Sequence, residues 1–177
     1  SLGRHPEAAA LLTDLETRHT HPKITFQRAA TLWRSGDLPA AARAYERLVE
    51  QDLQGFTMWA RMRLAEVELE RGRPDAALRW ADDGLRAGPL AVKDRGLFQL
   101  ERARALLALD RSRDALEASL AAATDLAAAV EAEEGAERQV TGRQVARALA
   151  LRGEALARLG ERAAARDLLL DALRRVT

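Results

Sequence analysis

Cysteine is absent from the sequence. Its absence excludes disulfides, thiol catalysis and cysteine-based zinc sites, and with them a secreted disulfide-stapled scaffold, so a reducing cytoplasm is the expected setting. Aromatic residues are scarce, at 4% of the chain. Strands draw on aromatic and β-branched side chains, and a β-rich fold is hard to write with these letters. Charge of one sign is missing too: 28 basic residues face 27 acidic ones, interspersed along the chain. Such a balance leaves no electrostatic footprint for nucleic acid, and direct nucleic-acid binding is not expected. No apolar run approaches the ~20 residues that cross a bilayer, so no membrane segment is expected either. Lysine occurs only at Lys23 and Lys93, the other basic residues being arginine. With the alanine content, that bias points to a GC-rich bacterial genome.

What is present is helix-forming. Hydrophobic residues make up 47% of the 177, alanine is the commonest residue, and charged residues add 31%. The stretch Arg71 to Pro89 (RGRPDAALRWADDGLRAGP) is the most clearly punctuated. Gly72 ends one helical run, Pro74 opens the next, Ala77, Ala81 and Leu85 mark its apolar side, and Gly88-Pro89 closes it. Glycine past a helix end and proline in a first turn are the usual signals for helix, tight turn, antiparallel helix.

The same pattern recurs along the chain. Gly3, Gly36, Gly72, Asp110 and Gly160 are each followed five residues later by alanine, at Ala8, Ala41, Ala77, Ala115 and Ala165, with spacings of 33, 36, 38 and 50 residues. Seven positions before the turn stand Ala29, Ala65, Ala103 and Gly153, all small. Two helices that cross closely need small side chains at the crossing, and these sites supply one from each. Leu32, Leu106 and Leu156 are bulky four residues before the turn, and Tyr45 and Leu169 nine after it. Ala81 and Ser119 are small at that second bulky site, Glu68 is polar at the first, and Asp110 replaces one turn glycine.

This pattern resembles the tetratricopeptide repeat, a helix-turn-helix unit of about 34 residues that stacks on its neighbours. The resemblance implies an all-α, right-handed superhelix of antiparallel helix pairs with about nine helices. It divides the chain into a half-repeat over 1–18 and repeats over about 22–54, 55–89, 90–134 and 142–177, as a single domain. The run from Glu131 to Gly142, with Glu131, Glu133, Glu134, Glu137, Gly135 and Gly142, marks a polar connection, placed over 135–141. An opening that already looks like the middle of a repeat points to a piece of a longer protein, with an unpaired first helix (Leu11, Leu12, Leu15) through which self-association is expected.

Chemistry is sparse. His19 and His21 are two imidazoles two residues apart, short of the three or four ligands of a metal site, and a solvated loop is the simpler reading. The acidic run from Glu131 to Glu137 lacks the ligand and glycine alternation of a calcium loop. No nucleophile elbow, phosphate loop, dinucleotide fingerprint or HExxH motif occurs. No catalytic residue, metal or cofactor is therefore expected.

In the family it resembles, the first helix of each repeat lines a concave face. Carried over, that geometry places Phe26, Trp33 and Arg34 there from the first full repeat, and Trp59, Met62, Glu66 and Glu70 from the second. Leu100, Arg104 and Leu107 follow from the third, and Ala150, Glu154 and Arg158 from the fourth. Aromatic anchors among mixed charges suit a bound peptide or helix. Packing between repeats is the other reading of Trp33 and Trp59, and the sequence leaves both open. The lysine and asparagine set with which some such domains grip a terminal carboxylate is missing. The expected function is a non-enzymatic protein-interaction module that binds a peptide or partner domain. The alternative is a sensor or effector segment of a larger bacterial transcriptional regulator or signalling protein.

Overall fold

A computed structural model describes residues 21–52 and 55–174. Among them every regular element is an α-helix: α1 (Pro22–Arg34), α2 (Leu38–Glu50), α3 (Thr57–Glu70), α4 (Pro74–Arg86), α5 (Val92–Ala108), α6 (Ser112–Ala132), α7 (Gly135–Arg158) and α8 (Arg162–Arg174). The first of the nine expected helices and the half-repeat over 1–18 lie outside the described residues.

The helix ends follow from local chemistry. His21 Nδ1 accepts a hydrogen bond from the Lys23 backbone N–H at 3.2 Å and caps α1, and Pro22 sits in its first turn. One of the two histidines weighed for a metal thus satisfies an orphan donor. Asp37 Oδ1 caps α2 through the Ala40 N–H at 3.1 Å. At the other ends the four turn positions share one geometry. Gly36, Gly72 and Gly160 have φ of 86°, 70° and 89°, and Asp110, where glycine is replaced, has 56°. Each donates its N–H to the carbonyl three residues back, and the next residue donates to the carbonyl five back, as in Asp37 to Leu32 at 3.0 Å and Arg111 to Leu106 at 2.9 Å. These paired bonds close the helix end and reverse the chain.

The described residues fall into two compact units, one up to Trp80 and one from Ala81, so the boundary lies within α4. In the first unit the small residues Ala29, Ala41, Ala65 and Ala77 are fully buried, which lets paired helices approach closely. Around them Tyr45, Leu48, Leu64 and Val67 form a core against which Phe26, Trp33 and Trp80 pack. Glu68, the polar residue at a bulky site, is 2% exposed and pairs with Arg71.

The second unit repeats the scheme with Ala103, Ala115, Gly153 and Ala165 buried, and with Leu100, Leu126, Val145 and Leu149 in its core. Gly153 is needed for space: a Cβ there would lie 2.9 Å from Leu169 Cγ. Two further glycines serve as sockets that the repeat pattern did not mark. Gly84 of α4 receives the ring of fully buried Phe98, and Gly96 of α5 receives Leu126.

One expected boundary is overturned. The polar connection over 135–141 is helix, because α7 starts at Gly135 and only Glu133 and Glu134 are extended. Acidic residues are favoured in a first helical turn, where Glu137 lies, and burial of Thr141 and Val145 outweighs the propensity cost of Gly142.

Candidate functional site

Each unit presents its own set of candidate side chains. In the first unit Trp33 of α1 reaches α3. Its indole Nε1 donates to Glu70 Oε2 at 2.8 Å, and the Arg63 guanidinium lies 5.4 Å from its ring centroid. Arg63 also pairs with Glu66 Oε2 at 2.5 Å, one helical turn on. The result is a chain of contacts from Glu66 through Arg63 and Trp33 to Glu70. Trp33 is half-buried and packs on the core, so much of its surface is already used.

Phe26 is likewise engaged, 5.4 Å from Tyr45 edge-on and 5.8 Å from Phe56. Such aromatic contacts add to the burial of the ring itself. Beneath this network the Tyr45 hydroxyl is buried and pushed up to about 12, chiefly by desolvation, with the nearby Arg63 charge pulling the other way. Trp59, 37% exposed, and Arg34 are the open members of the set. Met62, expected among the open contacts, is 3% exposed and belongs to the core. Arg63 was missed, although its i, i+3 spacing to Glu66 and i, i+4 spacing from Trp59 were there to be read.

In the second unit an open cleft of about 340 Å³ lies between α5 and α7, lined by Leu100, Glu101, Arg104, Arg147, Ala150 and Leu151. Arg104 Nη1 pairs with Glu101 Oε2 at 2.6 Å on its floor. Leu100, Arg104 and Ala150, expected on one face, meet here. Leu107 does not, being 4% exposed and in the core. Glu101 and Arg147 are lining residues that the sequence reading passed over.

Glu154 and Arg158 are occupied elsewhere. Arg158 Nη1 donates to the Leu107 carbonyl at 2.7 Å and to Asp110 Oδ1 at 2.9 Å, while its Nη2 pairs with Glu154 at 2.6 Å. A cation on the last carbonyls of α5 caps that helix and opposes its dipole. At the far end of the unit the Lys93 ammonium, 2.7 Å from Glu133, holds that carboxyl below its usual range, with Thr141 adding to the effect. Burial raises Asp94 beside it. Among the described residues no group of three or more His, Asp or Glu is placed to hold a metal ion, and no helix is long and apolar enough to cross a membrane.

Paired helices closed by left-handed turns, with small residues at each crossing, define a helical-repeat protein. Sequence patterns of the tetratricopeptide repeat match residues 26–92 and 146–171, together more than half of the chain. The chain belongs to the tetratricopeptide-repeat family. Among solved structures it is similar to MamA from Desulfovibrio magneticus RS-1, residues 41 to the end, with a TM-score of 0.70 at 16% identity over 98% of this chain and 86% of that one. It is also similar to Bacillus thuringiensis PlcR, solved in complex with the peptide PapR7 and DNA, with a TM-score of 0.70 at 17% identity over 98% of this chain and 64% of PlcR. Curated protein sequences give no match.

Proposed function

We propose that this chain is a non-enzymatic protein-interaction module that takes a peptide segment or a partner domain on the first helices of its repeats. The observation that carries the reading is the cleft between α5 and α7, where Leu100, Ala150 and Leu151 line one space with Arg104, Arg147 and Glu101. Apolar surface supplies affinity to a peptide, and the charged lining, in which Glu101 already pairs with Arg104, selects its polar groups. In the first unit Trp59 and Arg34 offer the corresponding open contacts. The sequence also carries no nucleophile elbow, phosphate loop, dinucleotide fingerprint or HExxH motif. A chain without cysteine suits a cytoplasmic setting.

A second reading, a sensor or effector segment of a larger bacterial regulator, is favoured by one comparison. PlcR, which shares the fold, was solved with both a peptide and DNA. In that reading this chain holds the ligand and a separate domain acts on it.

Peptide-library selection against the purified chain tests the module reading. Selected peptides are expected to lose at least about tenfold in affinity, roughly 1.4 kcal/mol, with Arg104→Glu or Trp59→Ala. Equal binding by wild type and both variants would remove these faces from consideration. If selected peptides bind only when the chain is joined to its natural neighbouring domain, the sensor reading gains.

A further inference from the structure

A second concavity in the same unit is different in kind. It is a trough of about 520 Å³ between α7 and α8, lined by Arg143, Ala146, Arg147, Ala150, Leu169, Ala172 and Leu173. Alanines form the floor. Leu169 and Leu173, one helical turn apart on α8, form one wall and are 40% and 63% exposed. Arg143 and Arg147, one turn apart on α7, edge the other, and both are exposed.

We propose that this trough docks an acidic amphipathic helix of a protein partner. Four observations point to that occupant. The alanine floor leaves room for a backbone cylinder to come close, as helix-on-helix packing requires. Both walls repeat every four residues, which is the period at which a helix presents side chains along one face. From Arg143 to Ala150 the trough runs about two turns, or ~10 Å, enough for apolar side chains at i, i+3, i+4 and i+7.

The fourth observation is charge. Among the described residues no carboxylate lines the trough. Arg95, Arg102, Arg104, Arg111 and Arg158 of this unit each pair with a carboxylate, whereas Arg147 reaches only the neutral amide of Gln144 at 3.4 Å. Arg143 has no carboxylate partner among the described residues. Two unneutralised guanidinium groups beside an apolar floor match a helix with leucines on one side and Asp or Glu along the flank. A basic helix is repelled there.

The inference does not rest on the α5–α7 cleft. Arg147 lines both concavities, so the test uses Arg143 and Leu173, which line only the trough, and Arg104, which lines only the cleft. The probe is a fluorescein-labelled amphipathic peptide with a leucine and alanine face flanked by glutamates, compared with the same peptide carrying lysines. Fluorescence anisotropy with the full chain should show binding of the glutamate peptide, weakening as salt rises, and none of the lysine peptide. Arg143→Glu and Leu173→Glu should each reduce affinity at least tenfold, and Arg104→Glu should leave it within about twofold. Both substituted side chains are exposed, and circular dichroism checks that each variant stays helical. Equal binding of the two peptides, binding of neither, or unchanged binding by either trough variant overturns the proposal. So does sedimentation of the free chain as a dimer that Leu173→Glu turns into a monomer, since the trough then belongs to a second copy.

Discussion

Replacing Gly84 with alanine adds a single methyl group, and its cost can be worked from the structure. The new Cβ would stand 2.1 Å from Phe98 Cε1, 2.4 Å from Cζ and 2.6 Å from Cδ1. Carbon atoms rest at about 3.5–4 Å, so the ring or one of the helices must retreat by more than an ångström. Phe98 is fully buried and has no open side to move into. Overpacking of that kind costs about 1–3 kcal/mol. Alanine in a helix interior returns about 0.5–1 kcal/mol through propensity, leaving a net loss of roughly 1–2 kcal/mol.

Gly142 is the matched control. It lies inside α7 with no heavy atom within 4 Å of an added Cβ, and there Gly→Ala should stabilise by about 0.5–1 kcal/mol. Urea unfolding followed by far-UV circular dichroism measures both. A double variant, Gly84→Ala with Phe98→Leu, removes the ring that the methyl group strikes, so its loss should fall about 1 kcal/mol short of the sum of the single losses. A Gly84→Ala chain more stable than wild type, or strict additivity in the cycle, would refute the socket.

Removing one or the other member of the buried Glu68–Arg71 pair should have unequal effects. Arg71→Ala strands a carboxylate that is 3% exposed, with only Arg73 at 4.0 Å, and should cost about 3 kcal/mol in urea unfolding, whereas Glu68→Leu removes the charge and should lie within ~1 kcal/mol of wild type or above it. Glu133 sets part of the pH dependence. Its carboxyl is held below the ordinary 4.5 in the fold, so the unfolded chain binds its proton more readily and this stabilisation is lost as pH falls from that value through the folded one. Asp94, raised by burial, works in the other direction. Glu133→Gln should flatten the acid limb of thermal melts recorded across that range, and an unchanged acid limb would show the Lys93 contact to be without effect on stability.

Much of the architecture was legible because it is local. A left-handed residue at a helix end is written as glycine, and a close crossing as alanine, so Gly36, Gly72 and Gly160 and their alanine partners could be read without coordinates. Even Asp110 was placed by spacing, and it adopts the same φ region as the glycines it replaces. The stretch from 135 to 141 misled for the same reason. Gly135 and, just past the stretch, Gly142 are weak helix formers, and the burial of Thr141 and Val145 against neighbouring helices carries α7 through them.

The candidate site was less legible. Leu100, Arg104 and Ala150 do gather in one cleft. Met62, three residues after Trp59 and four before Glu66, lies on the expected side of α3 yet is core, and Arg158 is drawn to the end of α5, because helical spacing gives a side chain's direction but not what waits there.

The sequence by itself determined the helices, their turns and the small residues at the crossings, since each depends on residues within a few positions of one another. Only the tertiary structure decided which charges are spent inside the protein and which remain for a partner. Arg95, Arg102 and Arg158 are held by carboxylates far along the chain, while Arg143 stands at an apolar trough with no carboxylate among the described residues, and no periodicity in the chain distinguishes them. That distinction arises from the meeting of side chains far apart in sequence, which is where the energy of a charge is set.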